Sequence, residues 1–598
     1  MQPTPFDAFV FASKAWILRS IRGVKESISA QAPRKASFSQ QWHDAPVLAQ
    51  SITPLWTQTS TAELRLTAGK VENLRIAAQA LNGVEVSLGE TFSFWRQLGQ
   101  PNRLKGYREG REIREGCVVP SIAGGLCQLS NALYDAALKA NFDILERHKH
   151  TRVIAGSLAE QDRDATVFWN YVDLRFKSAQ GFRIEIDLSA ADLVVTFKGP
   201  KVETFSKAID SDQKTSPKLF AASCETCGVH SCFRHEQMHS AGTHDAAFSY
   251  AALLDGAWPE YSQWIAHWIS ENKIKNPTDI FLPLNGLQRK MSRYSWPVDG
   301  ARKIFEFPLF AFYRSLVSRR LANQGKKRQL AHIQLNTQLA KNYTSKLPVT
   351  ALHLVIQQNL LVPLYRQGVL GGRTFDVLMT QAPANRIEAT LDQAKEQFPS
   401  SPTLSDFRAD AQWIQDENRA LSRARSIVTP HAKIAKMFPN RGNLIPWTNL
   451  VKPHLNRTNM NSKTVFFSGP TVGRKGAYAM RDAAKLLGLK VIKQGAELEG
   501  DDFWKGIDVE TIPPGEKNLE AALQLVSMVI APALIESRPV VCLKALSLGI
   551  PVIATEACGL PPQNGLIIIP NSSSQAIIDA WAQLFPDNQL SNLSVKAL

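Results

Sequence analysis

Apolar and polar positions in the last third of the chain alternate between short strands and longer helices. Short apolar runs predict strands at 464–468, 489–493, 508–512, 527–531, 551–554 and 566–569. Apolar residues at helical spacing predict helices at 476–487, 517–525, 539–548 and 574–584. This alternation is typical of a parallel, doubly wound sheet, in which ligands bind at the carboxyl ends of the strands.

The pattern is different towards the N-terminus. Residues 71–81 have helical spacing and end at Asn82-Gly83, while apolar runs at 166–177, 182–188 and 192–198 predict antiparallel strands. We therefore expect an α+β domain there. Further strands are predicted in the middle of the chain, at 351–356 and 375–380.

Composition narrows the class of protein. The 598 residues exceed what one hydrophobic core supports, and 44% hydrophobic with 20% charged residues is ordinary for a soluble protein. The net charge of +16 indicates an anionic partner, and seven cysteines in so long a chain are no disulfide framework. Residues 6–21 lack the order of a signal peptide, and the sequence contains no long apolar run, so a cytoplasmic protein is expected.

Part of the positive charge lies in a predicted amphipathic helix. Residues 308–328 combine apolar positions at helical spacing with several Arg and Lys residues. Such a segment can lie on an anionic membrane surface, or it can be an ordinary helix with a solvated charged face. No nucleic-acid recognition motif accompanies the charge.

A cysteine follows two glycines at the start of a predicted helix. Cys127 comes after Gly124-Gly125, in a first turn whose unpaired amides and helix dipole favour a thiolate. His148, His150 and Asp164 follow downstream, as does Asp173. Together they predict a thiol nucleophile with its base, and the alternative is a buried cysteine that packs the helix.

Four soft ligands fall in one short stretch further on. Cys224, Cys227 and Cys232 are followed closely by His235. Three cysteines and a histidine satisfy tetrahedral zinc, and thiolates equally suit an iron–sulfur cluster. The spacing predicts a zinc or iron–sulfur site, with a reactive cysteine loop or a regulatory disulfide as the alternative.

A glycine-rich loop follows the first strand of the predicted C-terminal sheet. It contains Gly469, Gly473 and Gly476, with Arg474 and Lys475 as cations, and it leads into a helix. A loop of this kind at a helix N-terminus suits a diphosphate.

Residues 60–200 resemble the VanW family. The resemblance rests on GETFSF at 89–94, GY at 106–107, GGLCQLS at 124–130, ERHKH at 146–150 and DATV at 164–167. It strengthens the interpretation of Cys127 as a reactive thiol and implies no particular reaction.

Residues 464–580 resemble the nucleotide-binding lobe of retaining GT-B glycosyltransferases. The resemblance rests on the loop at 469–476, PALIESRPVV at 532–541 and ALSLGIPVIAT at 545–555. It implies that Lys475 binds the donor diphosphate and that Glu536 faces the donor sugar as a catalytic group. It places Ser537 and Lys544 beside them in the donor site.

Two positions depart from the family pattern. Lys544 stands where the family has a ribose-binding glutamate, and Pro470 where it has an arginine. Either the donor is held differently or the transferase has lost activity, since lysine cannot accept a hydrogen bond from a ribose hydroxyl.

These observations predict a multidomain protein of α+β and α/β class. The expected order is an N-terminal helix and linker (1–59), a VanW-like α+β domain (60–200), a linker (201–223), a Cys/His-rich loop (224–245), and two doubly wound GT-B lobes (246–440 and 441–598). The expected function is sugar transfer from a nucleotide sugar to an envelope-related acceptor. The alternatives are a thiol enzyme centred on Cys127 with a degenerate sugar-binding module, or a non-enzymatic scaffold.

Overall fold

The structure, a computed structural model, describes most of the chain. The described residues are 10, 13–14, 16–22, 42, 44–57, 61–114, 117–150, 152–154, 156–200, 219–221, 248–272, 276–321, 325–406, 408–448 and 462–585. The predicted Cys/His-rich loop (224–245) and nearly all of the predicted linker before it (201–223) lie outside them.

The N-terminal part is an α+β structure. Its strands are β1 (Val47–Pro54), β2 (Val84–Val86), β3 (Thr91–Ser93), β4 (Glu109–Arg114), β5 (Cys117–Ile122), β6 (Asp143–Glu146), β7 (Arg175–Lys177), β8 (Phe182–Leu188) and β9 (Asp192–Lys198). Its α-helices are α1 (Thr61–Leu81), α2 (Phe94–Leu98) and α3 (Cys127–Lys139). The antiparallel sheet β1-β9-β8-β2 packs against α1 and α3, and the shorter sheet β3-β7-β6 and the hairpin β4-β5 flank it.

Aromatic side chains fill the core behind α3. Phe142 stacks on Phe197 with ring centroids 5.4 Å apart, and Phe182 lies 4.6 Å from Phe142. The prediction for 166–177 was wrong over most of its length, because only Arg175–Lys177 forms a strand. The backbone before it is bound in other ways: the Thr166 amide donates to the carbonyl of His148, Phe168 and Val172 form a short bridge, and the Asp173 amide donates to the Glu146 side chain.

The middle of the chain forms one parallel sheet with the order β12-β11-β10-β13-β14-β15-β16. Its strands are β10 (Ser249–Leu253), β11 (Thr278–Leu282), β12 (Lys303–Glu306), β13 (Ala351–Gln357), β14 (Thr374–Leu378), β15 (Ser426–Thr429) and β16 (Gly442–Leu444). Its α-helices are α4 (Pro259–Asn272), α5 (Pro308–Arg320), α6 (Gly325–Thr344), α7 (Gln358–Arg366), α8 (Ala384–Gln397), α9 (Ala411–Arg423) and α10 (Ala432–Lys436).

A second parallel sheet follows, with the order β19-β18-β17-β20-β21-β22. Its strands are β17 (Thr464–Phe467), β18 (Lys490–Gln494), β19 (Val509–Ile512), β20 (Met528–Ala531), β21 (Val552–Thr555) and β22 (Leu566–Ile569). Its α-helices are α11 (Ala477–Leu487), α12 (Glu516–Leu525), α13 (Val540–Ser547) and α14 (Ser574–Leu584). Each lies within one residue of its predicted bounds. The two sheets are the cores of two doubly wound lobes, as the sequence predicts.

The N-terminal part packs on the first lobe through a loop at residues 368–373. The Arg75 guanidinium donates to the carbonyl of Gly371 and pairs with Glu72, and the Gly372 amide donates to the carbonyl of Ser189 at 2.7 Å. Although burial opposes the charge, Arg75 and Arg373 lower the pKa of Glu72. In the described part of the chain, no helix is both long enough and apolar enough to cross a membrane.

Candidate functional site

The N-terminal part contains a cavity of about 500 Å³. Its wall is built from β1, α1, the turn before α3, and the extended segment that follows β6. Cys127 and His150 both line it.

The turn before α3 requires glycine because other backbone approaches it closely. A Cβ added at Gly124 would lie 2.4 Å from the carbonyl oxygen of Gly110. Gly125 has a φ of +94°, and a Cβ there would lie 2.1 Å from the Lys70 side chain. Asn73, a buried residue of α1, fixes the turn by donating to the carbonyl of Gly124 at 2.9 Å. The two glycines therefore let α1, the hairpin and α3 meet at the cavity.

Cys127 is the first residue of α3, is partly exposed, and lines the cavity together with the His150 imidazole, whose pKa it influences. Its Sγ lies 3.8 Å from the carbonyl oxygen of Val167. In the His150 ring, Nδ1 lies 3.0 Å from Oδ2 of Asp164. Since Nδ1 faces the carboxylate, Nε2 is the nitrogen left for the thiol. Three residues distant in sequence thus form the chain of thiol, imidazole and carboxylate typical of thiol nucleophiles.

The electrostatics of this cluster favour a charged imidazole. Burial alone would lower the pKa of His150, but the hydrogen bond with Asp164 and the contact with Cys127 raise it to about 10. The pKa of Asp164 is lowered, because its contacts with His150 and Arg147 outweigh its own burial.

Asp164 is held from two sides. Arg147 donates to its Oδ1 at 2.8 Å, and the His150 amide donates to its Oδ2 at 2.6 Å. The next residue, Ala165, donates to Asn131 at 2.7 Å and accepts from Ser130 at 2.6 Å. Both of these α3 side chains are buried. Ser130 and Asn131 therefore hold the backbone next to Asp164 and so position its carboxylate. Polar residues on an otherwise apolar helix face are the sequence signal that could have identified them.

Two other predicted residues lie elsewhere. The His148 side chain is half exposed and faces Glu146, with the closest nitrogen and oxygen 3.6 Å apart. Asp173 is buried, accepts from the Ser93 hydroxyl at 2.6 Å and holds the start of α2. Of the two histidines, only His150 joins Cys127.

Cations predominate around the cavity. Arg19, Lys70, Arg111 and Arg152 line it, with Glu112 as the carboxylate among them. Lys70 donates to the carbonyl of Leu55 at 2.7 Å and to Gln128, which follows Cys127, at 2.9 Å. Burial and the neighbouring Arg111 lower the pKa of Lys70 to about 7. Nothing local in the sequence marks Lys70 as a cavity residue.

The second candidate site lies at the carboxyl ends of β17 and β20. After β17 the chain makes the glycine-rich loop, with a short 3₁₀ helix at Gly473–Lys475, and Gly476 then opens α11 with a φ of +77°. A Cβ at Gly476 would lie 1.9 Å from the carbonyl oxygen of Pro532. The loop is thereby fastened to the segment after β20.

Lys475 and Glu536 meet at this point. Nζ of Lys475 lies 2.5 Å from Oε2 of Glu536, and both side chains are largely buried. Oε1 of the same carboxylate accepts from the Ser537 amide at 2.9 Å. Arg474 is next to the pair, and its carbonyl accepts from the amides of Leu534 and Ile535. The structure thus brings the predicted diphosphate ligand, sugar-facing glutamate and Ser537 together.

A carboxylate of the protein already contacts the glycine-rich loop. Oε1 of Glu499 accepts from the Gly473 amide at 2.7 Å, and its Oε2 accepts from the Tyr478 hydroxyl at 2.7 Å. Ser401 and Thr403, which belong to the first lobe, donate to the same carboxylate. Glu499 therefore links the glycine-rich loop to the first lobe. No sequence pattern indicates this role of Glu499.

Lys544 forms ion pairs with α12. Its ammonium lies 2.5 Å from Oε1 of Glu520 and 3.9 Å from Oε1 of Glu516, both on α12. The hydrogen bond with Glu520 raises the pKa of Lys544. Its partners are therefore surface carboxylates.

The two lobes are joined by side chains at the same edge. His431 lies 3.1 Å from the carbonyl oxygen of Glu536 through Nε2, which donates, and burial lowers the pKa of this histidine to about 4. Arg538 pairs with the buried Glu260 of α4 at 3.1 Å, and Thr448 donates to the same carboxylate at 2.6 Å. The neutral imidazole and the ion pair fix the lobes around the candidate donor site.

The predicted metal ligands Cys224, Cys227, Cys232 and His235 lie outside the described residues. Within the described ranges, no three His, Cys, Asp or Glu side chains are grouped closely enough to hold a metal ion. The zinc or iron–sulfur site stays a prediction.

Comparison with known proteins agrees with both parts of the fold. Residues 69–198 match the family model described as VanW like protein, and residues 489–587 match the model described as Glycosyl transferases group 1. The chain therefore joins a VanW-like domain to a group 1 glycosyltransferase domain, as the sequence motifs predict.

Two curated relatives match the VanW-like part. Uncharacterized protein YoaR of Bacillus subtilis is 33% identical over 135 residues, which is 23% of this chain and 44% of the relative. Vancomycin B-type resistance protein VanW of Enterococcus faecalis is 32% identical over 115 residues, 18% of this chain and 41% of the relative. The chain thus spans less than half the length of either relative.

Among solved structures, the galactosyltransferase WaaB is 12% identical, with a TM-score of 0.31 over 56% of this chain and 90% of its own. HepE of Anabaena, solved with UDP and glucose, is 13% identical, with a TM-score of 0.32 over 57% of this chain and 91% of its own. At such identities and TM-scores, neither structure bears on the function of this chain.

Proposed function

We propose that the two C-terminal lobes transfer a sugar from a nucleotide-sugar donor to an envelope-related acceptor. The observation that carries the proposal is the contact between Lys475 and Glu536 within a chain that matches the group 1 glycosyltransferase model. The pair lies where ligands bind in doubly wound sheets, at the carboxyl ends of the strands.

Each residue has a role that follows from its chemistry. Lys475 and the Gly473–Gly476 loop hold the donor diphosphate, since an ammonium and the amides at a helix start both favour anions. Glu536, once Lys475 turns to the diphosphate, faces the donor sugar, and the Ser537 amide keeps its carboxylate oriented. The donor also displaces Glu499 from the Gly473 amide, because a carboxylate and a phosphate compete for one donor.

The ribose is bound without the family's glutamate. Lys544 cannot accept the hydrogen bonds of ribose hydroxyls, and it is already paired with Glu520. The proposal therefore assigns most of the donor affinity to the diphosphate and the sugar.

The proposed place of action is the cytoplasmic face of a membrane. The helix α5 exposes an apolar stripe formed by Leu309, Phe312 and Tyr313, and Arg319 and Arg320 follow in its last turn. Apolar residues next to arginines suit an anionic lipid surface.

The test is calorimetry with UDP, GDP and their sugars, together with release of the sugar from the donor. Wild type should bind one nucleotide and release its sugar, and Glu536→Gln should keep binding while it loses release. If wild type binds neither nucleotide nor any sugar nucleotide, the glycosyltransferase proposal is wrong and the scaffold alternative replaces it.

A further inference from the structure

The VanW-like domain contains a cluster that the sugar transfer does not use. We infer that Cys127, His150 and Asp164 form a second active site, which cleaves an amide or ester bond through a thioester on Cys127. The substrate is an acyl compound that carries a carboxylate near the scissile bond.

The geometry provides each part of such a site. His150 is fixed by two contacts with Asp164, from Nδ1 at 3.0 Å and from its amide at 2.6 Å, so its other ring nitrogen is left for the thiol that lines the same cavity. Arg147 and the two α3 side chains behind Ala165 prevent the carboxylate from turning away. The Cys127 amide lies in the first turn of α3, where helix amides precede the carbonyls that would pair with them, so it can donate to a developing oxyanion.

The reaction has two balanced steps. First, the Sγ thiolate attacks the acyl carbon, an S–C bond forms, the bond to the leaving amine or alcohol breaks, and the His150 imidazolium gives its proton to the leaving group. Then water attacks the thioester, His150 takes the proton of that water, and the S–C bond breaks to regenerate the thiolate and release the acid. An amine in place of water would give transfer instead of hydrolysis.

The substrate class follows from the charges on the cavity wall. Four cations, Arg19, Lys70, Arg111 and Arg152, line it with one carboxylate, Glu112. A bound carboxylate would favour the charged form of Lys70, whose pKa burial lowers to about 7. The cavity of about 500 Å³ is large enough for a short peptide segment and opens beside Cys127.

The first test is alkylation at pH 7 on the full chain, with Cys117 as the internal control. Both thiols are partly exposed, but Cys117 lies in β5. A free thiol is only a few per cent ionised at this pH, whereas the imidazole in the same cavity can take the proton of Cys127, so Cys127 should react about tenfold faster with iodoacetamide than Cys117. Iodoacetate is anionic and should be attracted by the cations of the cavity, so it should increase the ratio of the Cys127 rate to the Cys117 rate further.

The variants His150→Asn and Asp164→Asn should bring Cys127 down towards the rate of Cys117. Circular dichroism and nucleotide binding by the C-terminal lobes show whether each variant is folded. Equal rates at the two cysteines in wild type, or a Cys127 rate that folded His150→Asn leaves unchanged, would overturn the inference.

The second test reads the reaction itself. A pool of short peptides is incubated with wild type and with Cys127→Ala, once with free carboxyl termini and once amidated, and mass spectrometry detects new ends and any thioester on the protein. We expect cleavage that needs Cys127 and is at least tenfold faster with free carboxylates. A reactive Cys127 that neither cleaves a peptide nor forms a thioester would refute the acyl-transfer assignment. Equal cleavage of both pools would refute the proposal that the substrate carries a carboxylate near the scissile bond.

Discussion

Replacing Lys475 by alanine tests how the C-terminal lobes hold a nucleotide. The ammonium lies 2.5 Å from Glu536, and the two side chains are 13% and 8% exposed. The substitution has two effects, since it removes the proposed diphosphate ligand and also leaves Glu536 without its cation.

The magnitudes of the two effects follow from their surroundings. A hydrogen bond between charged groups contributes about 1.5–3 kcal/mol, equivalent to about a ten- to 150-fold change in affinity. We expect the lower part of this range, about tenfold, because Lys475 must leave Glu536 before it binds the diphosphate. A buried carboxylate without its cation should lower the free energy of unfolding by about 1–3 kcal/mol.

The double variant Lys475→Ala/Glu536→Gln separates the two effects. It should recover most of the lost stability, because no uncompensated charge remains, but none of the nucleotide affinity. Glu536→Gln alone should tighten UDP or GDP binding, since it releases Lys475 from its partner.

Calorimetry and urea unfolding measure these two quantities, and Lys485→Ala, an exposed lysine of α11, is the matched control. If Lys475→Ala binds the nucleotide as tightly as Lys485→Ala does, Lys475 is no diphosphate ligand and the pair with Glu536 is purely structural.

Three further predictions concern other parts of the chain. The purified protein should contain about one zinc ion or an iron–sulfur cluster, and Cys224→Ser should lose it; elemental analysis without metal after anaerobic purification would contradict this. Gly124→Ala should cost about 3 kcal/mol of unfolding free energy because its Cβ would meet backbone at 2.4 Å, whereas Gly89→Ala, with φ +72° and open space, should cost about 1 kcal/mol; equal urea midpoints would contradict the close approach. Full-length protein should sediment with vesicles containing anionic lipid and less with neutral ones, and Leu309→Ser/Phe312→Ser should abolish the difference; unchanged sedimentation of this variant would exclude α5 as the contact.

The sequence by itself determined the C-terminal lobe almost residue by residue. Buried parallel strands form continuous apolar runs, and the helices between them carry an apolar stripe, so local pattern is sufficient. The six strands and four helices of the second sheet accordingly lie within one residue of the predicted bounds. The antiparallel strands β8 and β9 were predicted with the same bounds from apolar residues between turn signals. Most of 166–177 was not a strand, because its backbone hydrogen bonds go to a loop carbonyl, to side chains and within the segment itself.

The tertiary structure alone decided which polar residues meet. His148 and His150 are equivalent in the sequence pattern, and only the placement of Asp164, which Arg147 contacts directly, selects His150. Likewise, the resemblance to the glycosyltransferase family places Lys544 in the donor site. In the structure, Lys544 of α13 pairs with Glu520 of α12. Periodicity reports which face of an element is buried. It does not report which distant side chain lies opposite, because that depends on how the elements pack.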